Sequence, residues 1–116
     1  MKRAREAASA ADGTRVLVDR LWPRGLSKQQ VAADLWLREV APSDALRHWF
    51  GHQPERFAAF SERYRSELGA HEDLLRLLDD LCRRGRLTLL YNAGDAEHNN
   101  ACVLRQVLIE RGAAAA

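Results

Sequence analysis

Cysteine is scarce in this chain. Two residues in 116, Cys82 and Cys102, build no disulfide framework and form no Cys-x-x-Cys pair, a pattern suited to a reducing cytoplasm. Long apolar runs are missing too, since no stretch approaches the roughly 18 residues of a membrane-crossing helix. The opening Met1-Lys2-Arg3-Ala4-Arg5-Glu6 lacks the apolar segment of a signal peptide. These absences predict a cytoplasmic protein with no membrane partner. Charge of one sign is also lacking: 18 Lys plus Arg face 16 Asp plus Glu, a net charge of +2, so there is no basic tail or stripe. There is no zinc-finger spacing, no glycine-rich phosphate loop, no RNA-recognition aromatic motif and no internal repeat. What is present is an ordinary globular mixture, 47% apolar and 29% charged. At this length it predicts one domain with one core and a radius of gyration of about 13 Å.

Apolar patterning orders the chain. Lys2 to Arg5 reads as a short edge strand, and Ala7 to Gly13, small and turn-ended, as a mobile loop. Arg15-Val16-Leu17-Val18-Asp19 is a buried strand that runs into the polar, proline-containing Arg20-Leu21-Trp22-Pro23-Arg24-Gly25. Ser27 caps a short helix through about Ala33. Asp34 to Val40 alternates polar and apolar residues, as a strand does, and stops before Ala41-Pro42. Three helices follow. Ser43 and Asp44 start the first and Gly51 stops it; Pro54 opens the second, which runs to Gly69; the third spans about Glu72 to Arg84. The stripe Phe57, Phe60, Tyr64, Leu68 is a core face rather than a cofactor box. Arg86 to Tyr91 is the second buried strand, Glu97 to Arg111 the last helix, and residues 113–116 a frayed tail.

Strand, helical insertion, strand, helix predicts an α/β fold, a small three-layer sandwich whose short, largely parallel sheet is flanked by helices. In such sheets ligands bind beyond the carboxyl ends of the strands. Both polar clusters of the sequence fall there. The first is Asp19, Arg20 and Arg24 around Trp22, where guanidinium forks match carboxylate or phosphate oxygens. The plainer reading pairs an arginine with Asp19 to tie down the loop. The second runs from Tyr91 through Asn92, Gly94 and Asp95 to His98, Asn99 and Asn100. There the unpaired amides of a helix start attract an anion. Asp95 suits the helix cap, and from that position it meets His98 one turn on and orients it as a general acid or base. From the intervening helices Arg47 adds a cation, while Trp49 and His52 close the pocket; the plainer reading leaves Trp49 in the core and His52 as a helix terminator.

Other chemistries find less support. His98 with Cys102, and His48 with His52, are each four apart, but no third ligand is dictated, so no metal and no cofactor is expected. The 16 arginines and two lysines are interleaved with acids. Residues 43–50 and 54–69 mimic a helix-turn-helix, yet the second turns an aromatic face to a core, so no specific nucleic-acid partner is expected.

Val16-Leu17-Val18-Asp19-Arg20-Leu21-Trp22-Pro23-Arg24-Gly25, then Ala41-Pro42-Ser43, Leu46-Arg47-His48-Trp49-Phe50-Gly51-His52, and Leu89-Leu90-Tyr91 with Asp95 and His98-Asn99-Asn100-Ala101, resemble the YeaO-like family, DUF488. The likeness covers nearly the whole chain. It implies an α/β sandwich of the bacterial cytoplasm and assigns no function. Family members usually carry Lys or Arg just before the aspartate of the last motif; Gly94 stands there instead. A wider branch has a Cys-His-Arg run near His98-Asn99-Asn100, and the missing thiol argues against cysteine nucleophile chemistry. The expectation is a pocket for a small anionic molecule, with Asp95 and His98 as catalytic candidates. Its ligand contacts would be Asp19, Arg20, Arg24, Arg47, Trp49, His52, Tyr91 and Asn99. The alternative is a non-catalytic binding or transcription-regulatory module.

Overall fold

The β-branched and apolar runs of the sequence become the sheet. A computed structural model describes residues 1–112, with a radius of gyration of 13.4 Å. Four strands, β1 (Lys2–Arg3), β2 (Thr14–Leu17), β3 (Leu35–Trp36) and β4 (Leu87–Tyr91), lie in the order β1-β4-β2-β3. Every pairing is parallel, and the register sets Val16 beside Leu35 and Leu89, and Leu17 beside Trp36 and Leu90. The helices are α1 (Lys28–Val31), α2 (Asp44–Phe50), α3 (Phe57–Leu68), α4 (Glu72–Arg84) and α5 (Asn100–Glu110).

Alternation along the two central strands divides the core. Val16, Val18, Leu89 and Tyr91 face a large apolar cluster with Phe50, Phe60, Tyr64, Leu75, Leu78 and Leu104 from α2 to α5. Leu17 and Leu90 face the other way, onto Ala4, Val31, Trp22 and Trp36. The sheet is therefore sandwiched between a thick helical layer and a thin one of α1 and the loop before it, the small α/β fold that the strand and helix order predicts. No helix among the described residues is long and apolar enough to cross a membrane.

Several element boundaries differ from the sequence reading. Residues 34–40 do not form one strand: only Leu35–Trp36 pairs, and Arg38–Val40 is a 3₁₀ turn. The Leu37 amide still reaches Leu17 O at 2.9 Å, after which Val40 turns into the core and its carbonyl accepts the Tyr64 hydroxyl at 2.5 Å. Burial of Val40 thus overrides the alternating pattern. Helix α1 stops at Val31, because Ala32 takes a left-handed conformation with φ 50°. Residues 54–56 form a 3₁₀ turn ahead of α3. The last helix begins at Asn100 rather than near Glu97, for reasons that belong to the site below.

The segment 7–13, read from composition as a mobile loop, holds a 3₁₀ turn at Ala10–Asp12 anchored by charge. Asp12 is buried and accepts from Arg15 at 2.6 Å and from Lys2 at 3.1 Å. Hydrogen bonding to Ser9 contributes most to holding its carboxyl far below the usual carboxylate range, with Lys2 and Arg15 adding to it. Gly13 follows with φ +65°, and a Cβ there would lie 2.2 Å from the Arg86 carbonyl oxygen. Only glycine lets the chain pass this close before Thr14 pairs with Arg86 at 2.9 Å. The fraying expected for 113–116 lies outside the described residues.

Candidate functional site

Parallel pairing in register brings the ends of β2 and β4 side by side. Val18 N–H reaches Leu90 O at 3.1 Å, and one step on the Asn92 N–H donates to Asp19 Oδ2 at 2.8 Å. The two polar clusters of the sequence, 73 residues apart, become one site. Above the strand ends lies a cleft of about 560 Å³, within the size range of small-molecule pockets. Asp19, Arg20, Trp22 and Arg24 come from the loop after β2, and Arg47, Phe50 and His52 from α2 and its end. Phe60 comes from α3, and Asn92, Gly94, Asp95, Asn99 and Asn100 from the loop after β4.

Each wall has a local cause. Trp22 donates its indole N–H to Leu26 O at 2.7 Å, and Trp36 donates its own to Asp19 O at 2.7 Å, so two edge-packed rings 5.4 Å apart fix the first loop. Arg20 is not the partner of Asp19. Its guanidinium donates to the carbonyls of Pro42 and Ala41 at 3.2 and 3.3 Å and lies 3.9 Å from Asp44. The loop-tying role is therefore exercised on the 41–44 segment, because those carbonyls point at it and the Asp19 carboxylate is already held by Asn92. Arg24 is exposed and has no hydrogen-bond or ion-pair partner among the described residues. Arg47 meets Asp44 at 3.2 Å, yet its Nε is buried without a partner.

Gly51 and His52 are consecutive left-handed residues, with φ 55° and 57°. Their turn ends α2 and carries the exposed His52 to the cleft, 6.2 Å from the ring of Phe50. Such a conformation is ordinary for glycine and uncommon for a side-chain-bearing residue such as histidine.

Asp95 does not cap α5. It forms its own turn, Oδ1 accepting the amides of Glu97 at 2.8 Å and His98 at 3.0 Å, while Oδ2 meets His98 Nδ1 at 2.9 Å. The amide of Glu97 and the His98 ring hold its carboxyl below the ordinary range. The cap is Asn99, 2% exposed, whose Oδ1 accepts the Cys102 amide at 3.0 Å and whose Nδ2 donates to Asp95 O at 2.8 Å. This competing turn delays the helix by three residues.

The structure therefore gathers Asp19, Arg20, Arg24, Arg47, His52, Asp95 and Asn99 around one cleft. It leaves three candidates outside the lining. Tyr91 is buried on the helical side of β4. Trp49 packs against the main core, with Arg63 4.0 Å and Arg56 5.4 Å above its ring, so the core reading applies. The His98 ring packs edge-on against Phe57 at 5.2 Å while it stays bound to Asp95. Sequence reasoning did not single out Phe50 and Phe60, which serve both core and cleft. Asn92 and Asn100 belong to the second polar cluster of the sequence but were not among its expected ligand contacts, and their roles rest on a backbone amide and on a bond from Asn100 Nδ2 to Val18 O at 3.0 Å. No residue-type signal marks such contacts. Burial raises the pKa of Asp19 above its ordinary value, against the amide of Asn92, the side chain of Asn100 and the charges of His52 and Arg47. Among the described residues no cluster of His, Cys, Asp or Glu is assembled for a metal ion.

The chain matches, over residues 1–116, the family described as the inactive DUF488-N3 subclade. It is 44% identical over 103 residues to the uncharacterized protein YeaO of Escherichia coli K12, covering 89% of this chain and 90% of that one. It is 43% identical over 98 residues to an uncharacterized protein of Mycobacterium tuberculosis H37Rv and to one of Mycobacterium bovis, covering 84% of this chain and 81% of each of those. No solved structure matches.

Proposed function

The chain belongs to the inactive DUF488-N3 subclade, and from that membership and the cleft we propose that it binds a small anionic molecule without turning it over. The observation that carries this reading is the pair of arginines on one cleft whose guanidinium groups lack a full set of protein partners. Arg24 has no partner among the described residues, and Arg47 keeps a buried Nε unpaired. The exposed Arg24 fork is free to take a phosphate or carboxylate oxygen, and an oxygen that reaches Arg47 Nε would relieve the roughly 1 to 3 kcal/mol cost of an unpaired buried donor. His52, held in a left-handed backbone conformation at the same cleft, is consistent with a site selected for binding. Absence of the His98 ring from the lining and the subclade's description both favour binding over catalysis. Two free thiols, Cys82 and Cys102, fit a reducing, cytoplasmic setting.

Titration calorimetry of the protein with inorganic phosphate, sulfate and acetate tests the reading, with the fluorescence of the cleft residue Trp22 as a second signal. Saturable binding of at least one of them, one ion per chain and weakened by added salt, is expected. Absence of saturable binding for all three at millimolar concentration refutes it. A second reading, proton transfer to the bound anion by Asp95 and His98, rests on their 2.9 Å contact. It requires that any turnover later measured fall at least about a hundredfold in a His98→Gln variant with ligand affinity preserved.

A further inference from the structure

The cleft presents donors and acceptors in separate groups. Arg24 and Arg47 offer unsatisfied N–H groups, while Asp19 and Asn100 offer unsatisfied oxygens. The Asn92 amide occupies Asp19 Oδ2 and the Asn100 side chain also bonds to the carboxylate, which still leaves acceptor positions on Asp19 for a ligand donor. The Nδ2 of Asn100 is committed to Val18 O, which leaves its Oδ1 without a partner among the described residues. The arginine adjacent in sequence, Arg20, is turned to carbonyls and Asp44. A purely anionic ligand satisfies the first group and meets a like charge at the second.

Resting on the anion-binding reading, we propose that the ligand of this cleft is amphoteric. One end is a phosphate or carboxylate held by Arg47 and Arg24, and the other is an ammonium or N–H donor held by the Asp19 carboxylate and Asn100 Oδ1. Phe50 and Phe60 give the same cleft an apolar surface for an uncharged spacer. The electrostatics agree. Burial works against the Asp19 carboxylate, and neither Arg47 nor His52 forms an ion pair with it among the described residues. A ligand ammonium would supply that missing contact.

The test uses two matched pairs of small molecules that differ chiefly in an ammonium group: aminoethyl phosphate with ethyl phosphate, and γ-aminobutyrate with butyrate. Each is titrated into the wild-type chain and into Asp19→Asn. In at least one pair, the ammonium-bearing member is expected to bind about tenfold or more tightly to the wild type. Asp19→Asn should abolish that preference and, by removing a like charge, bind the anion-only member at least as tightly as the wild type does. The pair that responds identifies the anion as phosphate or carboxylate. Equal affinity within both pairs, with binding still saturable, overturns the amphoteric ligand and leaves anion binding standing. A preference that survives in Asp19→Asn overturns the assignment to Asp19. Failure of all four molecules to bind overturns both this inference and the reading beneath it.

Discussion

Arg47→Ala should separate ligand binding from stability. In the free protein the side chain makes one ion pair, to Asp44 three residues earlier on α2, with the two side chains 40% and 66% exposed. A pair this wet contributes under about 1 kcal/mol. Against that loss stands the buried Nε with no acceptor, a penalty of roughly 1 to 3 kcal/mol that truncation removes. The two effects oppose, so stability should fall by no more than about 1 kcal/mol, roughly 4 °C in melting temperature for a chain of this length, and is free to rise. Binding has no such compensation. Loss of one charge-assisted contact costs about 1.5 to 3 kcal/mol, roughly a ten- to 150-fold rise in Kd. Arg47→Lys restores the charge but neither the fork nor the Nε donor, so its affinity should fall between the two. Calorimetry with the anion that binds the wild type, alongside a thermal melt, reads both quantities. Unchanged affinity with a melting temperature lowered well beyond 4 °C would refute the reasoning and make Arg47 a strut of α2.

Asp19→Asn should melt higher than the wild type at pH 7. Burial raises the folded-state pKa of Asp19 above its unfolded value. Its favourable contribution is therefore complete below the ordinary aspartate pKa and lost as pH rises through the folded pKa, and the neutral amide escapes that loss. Denaturant melts at neutral and acidic pH should show the gap closing in acid; a variant no more stable at pH 7 contradicts the burial argument. Gly94→Lys adds a cation beside Asp95 at a position where a Cβ meets nothing within 4 Å. It should leave stability within about 0.5 kcal/mol and tighten anion binding by about 1 kcal/mol, roughly fivefold, in the same calorimetry. Unchanged affinity would place that position off the ligand. Tyr64→Phe leaves the buried Val40 carbonyl without the hydroxyl now 2.5 Å away. The cost should be about 1 to 3 kcal/mol, a drop of roughly 4 to 12 °C. Because Ala41 and Pro42 follow directly and hold Arg20, ligand affinity should fall too; an unaltered melt would show that the carbonyl finds another partner.

Local sequence determined the elements with strong and uncontested signals. The apolar run of β2, the stripe Phe60, Tyr64, Leu68 of α3 and Leu75 and Leu78 of α4 bury the faces their spacing predicts, while Leu77 of α4 stays exposed. The order of the strands and the end of β4 at Tyr91 were legible too, and with them the place of the cleft beyond the strand ends, although β2 stops at Leu17, two residues short of Asp19. Where two local preferences compete, the pattern decided less. Residues 34–40 alternate like a strand, but tertiary burial of Val40 bends them. Asp95 and Asn99 are both good caps, and which one starts α5 depends on the turn that Asp95 closes with Glu97 and His98.

The composition of the cleft was decided only by the tertiary structure. Sequence spacing brings Asp95 to His98, but the way an imidazole ring faces is set by a neighbour as distant in sequence as Phe57, 5.2 Å away. Trp49 sits one residue from Phe50, yet one faces Arg63 and the other the cleft, because a helix turns its side chains about 100° per residue. Asp19 looks in sequence like the partner of Arg20 and finds instead a backbone amide 73 residues away. Residue types fix which groups are able to bind an anion. Which of them remain unsatisfied, and so available to a ligand, depends on contacts between segments that only the folded chain brings together.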